Sequence, residues 1–179
     1  MKVLALAGST SSTSINRQLA NHAAHLISGA EVTELDLRKY ELPIYSSDEE
    51  NEHGIPTDAH AFLATIRAHD AIVISLAEHN GSYAAAFKNL YDWTSRIDAK
   101  LWSGKPMLLM ATSPGAMGGR FVLEAAEAKF PRMGADLRAT FSLPSFYDHF
   151  SPENGITHEG LAKELGEAVR TLEPTNPPS

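Results

Sequence analysis

Six consecutive residues near the start of the chain, Ser9-Thr10-Ser11-Ser12-Thr13-Ser14, each carry a hydroxyl. They follow an apolar run of strand length, Lys2-Val3-Leu4-Ala5-Leu6-Ala7, that stops at Gly8, and helical spacing begins at Ile15. A strand, a hydroxyl-rich turn and a helix start, in that order, concentrate donors for an anion. The first N–H groups of a helix have no partner inside it, and the helix dipole adds positive potential there. Capping by Ser14 accounts for one hydroxyl; six suit a phosphate monoester. The turn lacks the third glycine of a dinucleotide fingerprint and the Gly-Lys-Ser/Thr ending of a triphosphate loop.

Two further stretches have the composition of ligand loops. Glu78-His79-Asn80-Gly81-Ser82 follows one apolar run, and Thr112-Ser113-Pro114-Gly115-Ala116-Met117-Gly118-Gly119 follows another. Backbone with little side-chain bulk at Gly81, Gly115, Gly118 and Gly119 can approach a flat, hydrogen-bonding ligand closely. The same glycines also serve as turns and caps. Eight histidines raise the question of a metal, but His22 and His25 stand three apart on one helix without an HExxH pattern or a carboxylate partner, and read as solvated positions. There is no cysteine, which removes disulfides, thiolate nucleophiles and iron–sulfur ligation together. Redox chemistry here requires a borrowed cofactor.

The elements that must position these loops can be read in order. Ile15, Leu19, Ala23, Leu26 and Ile27 recur at helical spacing, closed by Gly29, and residues 31–37 form a short strand laced with polar groups. Residues 41–57 read as a long acidic loop, a lid or interface candidate. Thr57 is placed to cap a helix whose inner face is Ala59, Phe62, Leu63 and Ile66. Apolar strands over 71–76 and 106–111 precede the two loops, with helices after each, an alternating strand over 135–141 and a last helix burying Leu161, Leu165, Ala168, Val169 and Leu172. Tyr91 and Trp93 are expected at a helix or subunit face and Trp102 in a loop or interface.

Five strands alternating with helices predict an α/β, flavodoxin-like three-layer sandwich: a five-stranded parallel sheet in the order 2-1-3-4-5 with helices on both faces. The first, third and fourth strands are apolar on both sides, as interior strands are, and the polar-laced second and fifth suit the edges. The three loops then converge on the carboxyl rim, at the switch point where such sheets bind ligands. One domain is expected over residues 1–172, with a disordered tail from Glu173. A net charge of −7 argues against nucleic acid and anionic membranes as partners, and no apolar run spans a bilayer, so membrane insertion is not expected. The N-terminus enters a strand directly, and a cytoplasmic protein is expected.

The motifs together resemble the NADPH-dependent FMN reductase family. Its Gly-Ser-x-Arg-x-x-Ser-x-Asn loop is matched at Gly8, Ser9, Ser14 and Asn16, and its Pro-Glu-Tyr-Asn-Gly-Ser loop at Glu78, Asn80, Gly81 and Ser82. The following Lys-Asn-x-x-Asp-Trp is matched at Lys88, Asn89, Asp92 and Trp93. Ser-x-Gly-x-x-Gly-Gly is intact from Ser113 to Gly119, and Leu-Pro-x-Tyr recurs at Leu42 to Tyr45. Three positions depart from the pattern: Ser11 replaces the arginine, Ala77 the proline and His79 the tyrosine.

The resemblance implies FMN, with NADPH or NADH as co-substrate and hydride passed by a ping-pong route to a small acceptor such as a quinone, azo compound or flavin. It also implies a homodimer or homotetramer with the 41–57 segment and the Tyr91 helix beside the interface. Ser9, Ser11, Ser14, Ile15 and Asn16 would take the phosphate side. Ala77, Glu78, His79, Asn80, Gly81, Ser113, Gly115, Gly118 and Gly119 would take the ring side. A flavodoxin-like electron carrier serving protein partners, and a binding protein without flavin, are the alternatives at this point.

Overall fold

The computed structural model describes residues 1–173; the expected tail, apart from Glu173, lies outside the described residues. The five main strands are β1 (Lys2–Gly8), β2 (Glu31–Leu35), β3 (Ala71–Leu76), β6 (Pro106–Thr112) and β7 (Asp136–Leu143). Two short hairpins supply β4 (Glu78–His79) with β5 (Ser82–Tyr83), and β8 (Phe150–Ser151) with β9 (Gly155–Ile156). The main sheet is parallel throughout and runs β2-β1-β3-β6-β7, the flavodoxin-like 2-1-3-4-5 order once the hairpins are set aside. The helices are α1 (Ile15–His25), α2 (Ser47–His53), α3 (Thr57–Arg67), α4 (Ala85–Ile97), α5 (Arg120–Lys129), α6 (Phe146–His149) and α7 (Glu159–Arg170).

Strand side chains alternate between faces, so the sheet divides the interior in two. Val3 and Ala5 join Leu19, Val73, Met110 and Leu165 under α1 and α7. Leu4 and Leu6 join Phe62, Ile72, Phe87 and Trp102 under α3, α4 and α5. The α3 inner face is the expected Ala59, Phe62, Leu63 and Ile66. No helix among the described residues is long and apolar enough to cross a membrane.

Several local expectations are corrected. Residues 41–57 contain α2, started by Ser46, whose hydroxyl accepts from the Glu49 N–H at 3.0 Å. The cap position of α3 belongs to Pro56, with Thr57 already helical. Leu26 ends α1 as an exposed residue, and Leu161 is only partly buried. Trp102 lies in the loop after α4, as expected, but is fully buried there against Phe130, with ring centroids 4.8 Å apart. Tyr91 and Trp93 pack on the buried face of α4, in line with the expected helix face, and the Trp93 indole N–H donates to the Pro43 carbonyl at 2.8 Å. His22 is half-buried and packs edge-on against Phe150, and its ring lies so close to Gly155 that a Cβ there would sit 2.1 Å from it.

Candidate functional site

A cleft of about 450 Å³ opens at the carboxyl rim between β1 and β3, within the size range of small-molecule sites. One wall is the hydroxyl turn from Ser9 to Ser14 with Ile15 and Asn16, the second is Ala77, Glu78 and His79, and the third is Thr112, Ser113 and Pro114. The loops converge here because parallel strands all deliver their following loops to one end.

The first wall is a built anion cradle. Ser14 caps α1, its Oγ accepting from the Arg17 N–H at 3.2 Å, and Ser9 Oγ accepts from the Ser11 N–H at 3.2 Å. The N–H groups of Ile15 and Asn16, in the first turn of α1, have no helical acceptor and remain for a ligand. The Arg17 guanidinium does not enter the cleft: it donates to the Ser12 carbonyl at 2.7 Å and pairs with Glu34 at 3.5 Å. Among the described residues lining the cleft, none is a lysine or arginine. The cradle therefore offers hydroxyls, amides and a helix dipole, and no fixed cation.

Asn16 has a different part from the one its position suggests. Its side chain is buried, accepts from Ser75 Oγ at 2.7 Å and the Thr112 N–H at 3.1 Å, and donates to the Thr112 carbonyl at 3.2 Å. It braces the start of α1 against the ends of β3 and β6, leaving only its backbone N–H to face a ligand.

The second wall is a two-residue hairpin. Asn80 and Gly81 occupy its turn with φ of 51° and 75°, the left-handed pair of a type I′ connection. They stand at the tip, off the cleft lining, whereas the exposed His79 lines it. Glu78 also lines the cleft, and its carboxylate accepts from the Val122 N–H at 2.8 Å, at the start of α5.

In the third wall, Ser113 lines the cleft, and the Gly115 carbonyl gathers Gly118 N–H, Ser145 N–H and Ser113 Oγ from beneath. Gly118 and Gly119 are buried, at φ of 60° and 74°. A Cβ on Gly118 would meet Ser142 Oγ at 2.3 Å, and one on Gly119 would meet the Ala111 Cβ at 2.8 Å. These two glycines pack the loop onto the sheet and do not line the cleft.

The sequence thus brings Ser9, Ser11, Ser14, Ile15, Asn16, Ala77, Glu78, His79 and Ser113 together, and sets Asn80, Gly81, Gly115, Gly118 and Gly119 around them as shaping residues. Sequence reading missed Tyr147, an exposed aromatic from α6 at the cleft, and Ala84. No spacing in the chain links Tyr147 to the other walls, since its place follows from the Gly115–Ser145 and Ser113–Phe146 backbone bonds.

Comparison with known proteins bears on what such a cleft is for. The profile described as NADPH-dependent FMN reductase matches residues 1–148. The chain belongs to the NADPH-dependent FMN reductase family. It is 37% identical over 79 residues to a quinone reductase of Escherichia coli, which covers 44% of this chain and 42% of that protein. It is 34% identical over 119 residues to an NAD(P)H-dependent FMN reductase of Pseudomonas aeruginosa, covering 66% and 63%. The chain spans under half the length of the first and under two thirds of the second. Among solved structures it is similar to FerB, a flavoenzyme NAD(P)H:(acceptor) oxidoreductase of Paracoccus denitrificans, at TM-score 0.74 and 25% identity over 96% of this chain and 94% of that one. FMN with NAD(P)H is the cofactor pair of the NADPH-dependent FMN reductase family.

Proposed function

We propose that this chain is an NAD(P)H-dependent, FMN-containing oxidoreductase that reduces small quinone-type acceptors. One observation carries the reading: a cation-free, many-donor anion cradle meets the 77–79 and 112–114 walls at the β1/β3 switch point. The residues fit FMN in chemical kind, with Ser9, Ser11, Ser14 and the Ile15 and Asn16 N–H groups toward the phosphate and residues 77–79 and 112–114 toward the ring. One phosphate cradle, with no second glycine fingerprint for a pyrophosphate, selects FMN over FAD.

Bound FMN supplies the hydride and electron transfer. The protein's part is placement. The hydroxyl turn and the α1 dipole hold the phosphate end, which fixes how far the ring reaches along the rim. The 77–79 and 112–114 walls orient the ring edge through backbone groups, while His79 and Tyr147 border the open side where nicotinamide and acceptor must alternate. No acid, base or nucleophile is required from the chain.

A homodimer or homotetramer belongs to the same proposal, with exposed Met117 and Phe121 beside the cleft as apolar surface for a second copy. A monomeric mass by light scattering at micromolar concentration overturns that part. The activity is tested by loading the protein with FMN, titrating anaerobically with NADPH and NADH, and adding a quinone. Bleaching by nicotinamide and recovery with quinone are expected. A flavin that bleaches only with a protein electron donor makes the chain a carrier instead, and FAD among heat-released cofactors overturns the cofactor assignment.

A further inference from the structure

Helix α5 begins without a capping side chain of its own. Its cap position is Gly119, and the first-turn donors find separate acceptors: Arg120 N–H on the Met117 carbonyl at 3.1 Å and Leu123 N–H on the Gly119 carbonyl at 3.1 Å. Val122 N–H is met from outside the helix, by Glu78 Oε2 at 2.8 Å, across 44 residues of sequence. The β4–β5 hairpin that carries Glu78 is also anchored at the other end of α5, where Tyr83 stacks on Phe130 with rings 7° from parallel and centroids 6.4 Å apart. The hairpin is therefore held along α5 at two points, one polar and one aromatic.

Those two attachments matter because the hairpin and the segment leading into α5 both supply walls of the cleft. Glu78 and His79 line it from the hairpin, Ser113 and Pro114 from the segment before α5. The bond from Glu78 ties the hairpin to the first turn of α5, the helix that follows the 112–114 wall. It also sets the Glu78 carboxylate at the N-terminal, positive end of the α5 dipole.

We propose that Glu78 is a positioning residue: through the Val122 N–H it sets the separation of the two walls that hold the flavin ring. The proposal rests on the FMN reading given above for what occupies the cleft, but the coupling itself is a property of the protein without ligand. Reach and charge are separable. Glu78→Gln keeps an acceptor oxygen at the same distance without the charge, Glu78→Asp keeps the charge on a shorter arm, and Glu78→Ala removes both.

The test uses amide hydrogen exchange on the flavin-free full chain, then FMN affinity and the visible circular dichroism of the bound flavin. In Glu78→Ala and Glu78→Asp, faster exchange is expected at the start of α5 and, with it, in residues 113–117. About tenfold weaker FMN binding, the scale of one charged hydrogen bond, and an altered flavin dichroism should follow. Glu78→Gln should lie near the parent in all three. Unchanged exchange in 113–117 for Glu78→Ala overturns the coupling whether or not flavin binds. Parent-like affinity and dichroism in Glu78→Ala overturn its bearing on the ring. Failure of the parent chain to bind FMN overturns the functional reading instead, and leaves the coupling to be decided by the exchange data.

Discussion

At the scale of single residues, the cleft separates groups that hold a ligand from groups that hold the cleft. Asn16 shows the difference. Its three buried hydrogen bonds join α1 to β3 and β6, so Asn16→Ala should lower stability by about 3 kcal/mol, because Ser75 and Thr112 lose buried partners. Urea denaturation of the flavin-free protein measures it. Ser9 is partly buried in the cradle with only a local bond to Ser11. Ser9→Ala should therefore leave stability within about 0.5 kcal/mol and weaken FMN by roughly 1.5–3 kcal/mol, the range for bonds to a charged group. A Ser9→Ala protein that binds FMN like the parent places the phosphate elsewhere. Sequence spacing puts both residues on one motif, and nothing in it shows that the Asn16 partner is 96 residues away.

At the scale of elements, local chemistry explains what was legible and what was not. The α3 face was readable because one strong helical period ran from Ala59 to Ile66. Helix α2 went unread inside its acidic stretch, although Ser46 with Glu49 three residues on is a capping-box start. The β4–β5 hairpin went unread because its strands are two residues each, too short for any alternation, with only Asn80-Gly81 as a signal. A Cβ on Gly81 would make only an ordinary contact, with Phe121 Cβ at 4.0 Å, while one on Gly119 would be crowded. Gly81→Ala should cost about 1–2 kcal/mol, the strain of a left-handed residue. Gly119→Ala should cost more, by about 1–3 kcal/mol of added overpacking against Ala111. Thermal melts of the two variants compare them directly. A pH effect belongs to α1 and the β8–β9 hairpin. Burial, with a smaller contribution from His25, lowers the pKa of His22. Its folded value lies below the unfolded one, near 6.5, so the unfolded chain takes the proton first. Stability is thus full above pH about 6.5 and declines as pH falls toward and through the folded value. His22→Gln should reduce the loss in urea midpoint between pH 7 and pH 5; an unchanged loss would show that other groups carry it.

At the scale of the whole molecule, strand order was legible because polar and apolar strands sort themselves to edge and interior. The burial of Trp102 was not, since a tryptophan between polar turns carries no period to show that it folds back onto Phe130. Charge is also a whole-molecule property. The chain has net charge −7, and the cradle has no cation to offset it. Association with dianionic FMN therefore works against long-range repulsion, and screening should help it. Raising salt from about 10 to 150 mM, where the Debye length falls from about 30 to 8 Å, should speed FMN association in stopped-flow fluorescence. Ser11→Arg should tighten FMN and blunt that salt response; a parent association rate that falls with salt would count against repulsion as the controlling field. The Asn16 brace has a further consequence, in time rather than space. The cradle is synthesised before Ser75 and Thr112, yet its brace reaches both. Contacts this distant in sequence form after the intervening loops close. A chain emerging from the ribosome would carry every cradle hydroxyl long before the brace that holds them in place. Competence to capture flavin should thus arrive in one late step, when β6 docks beside β3.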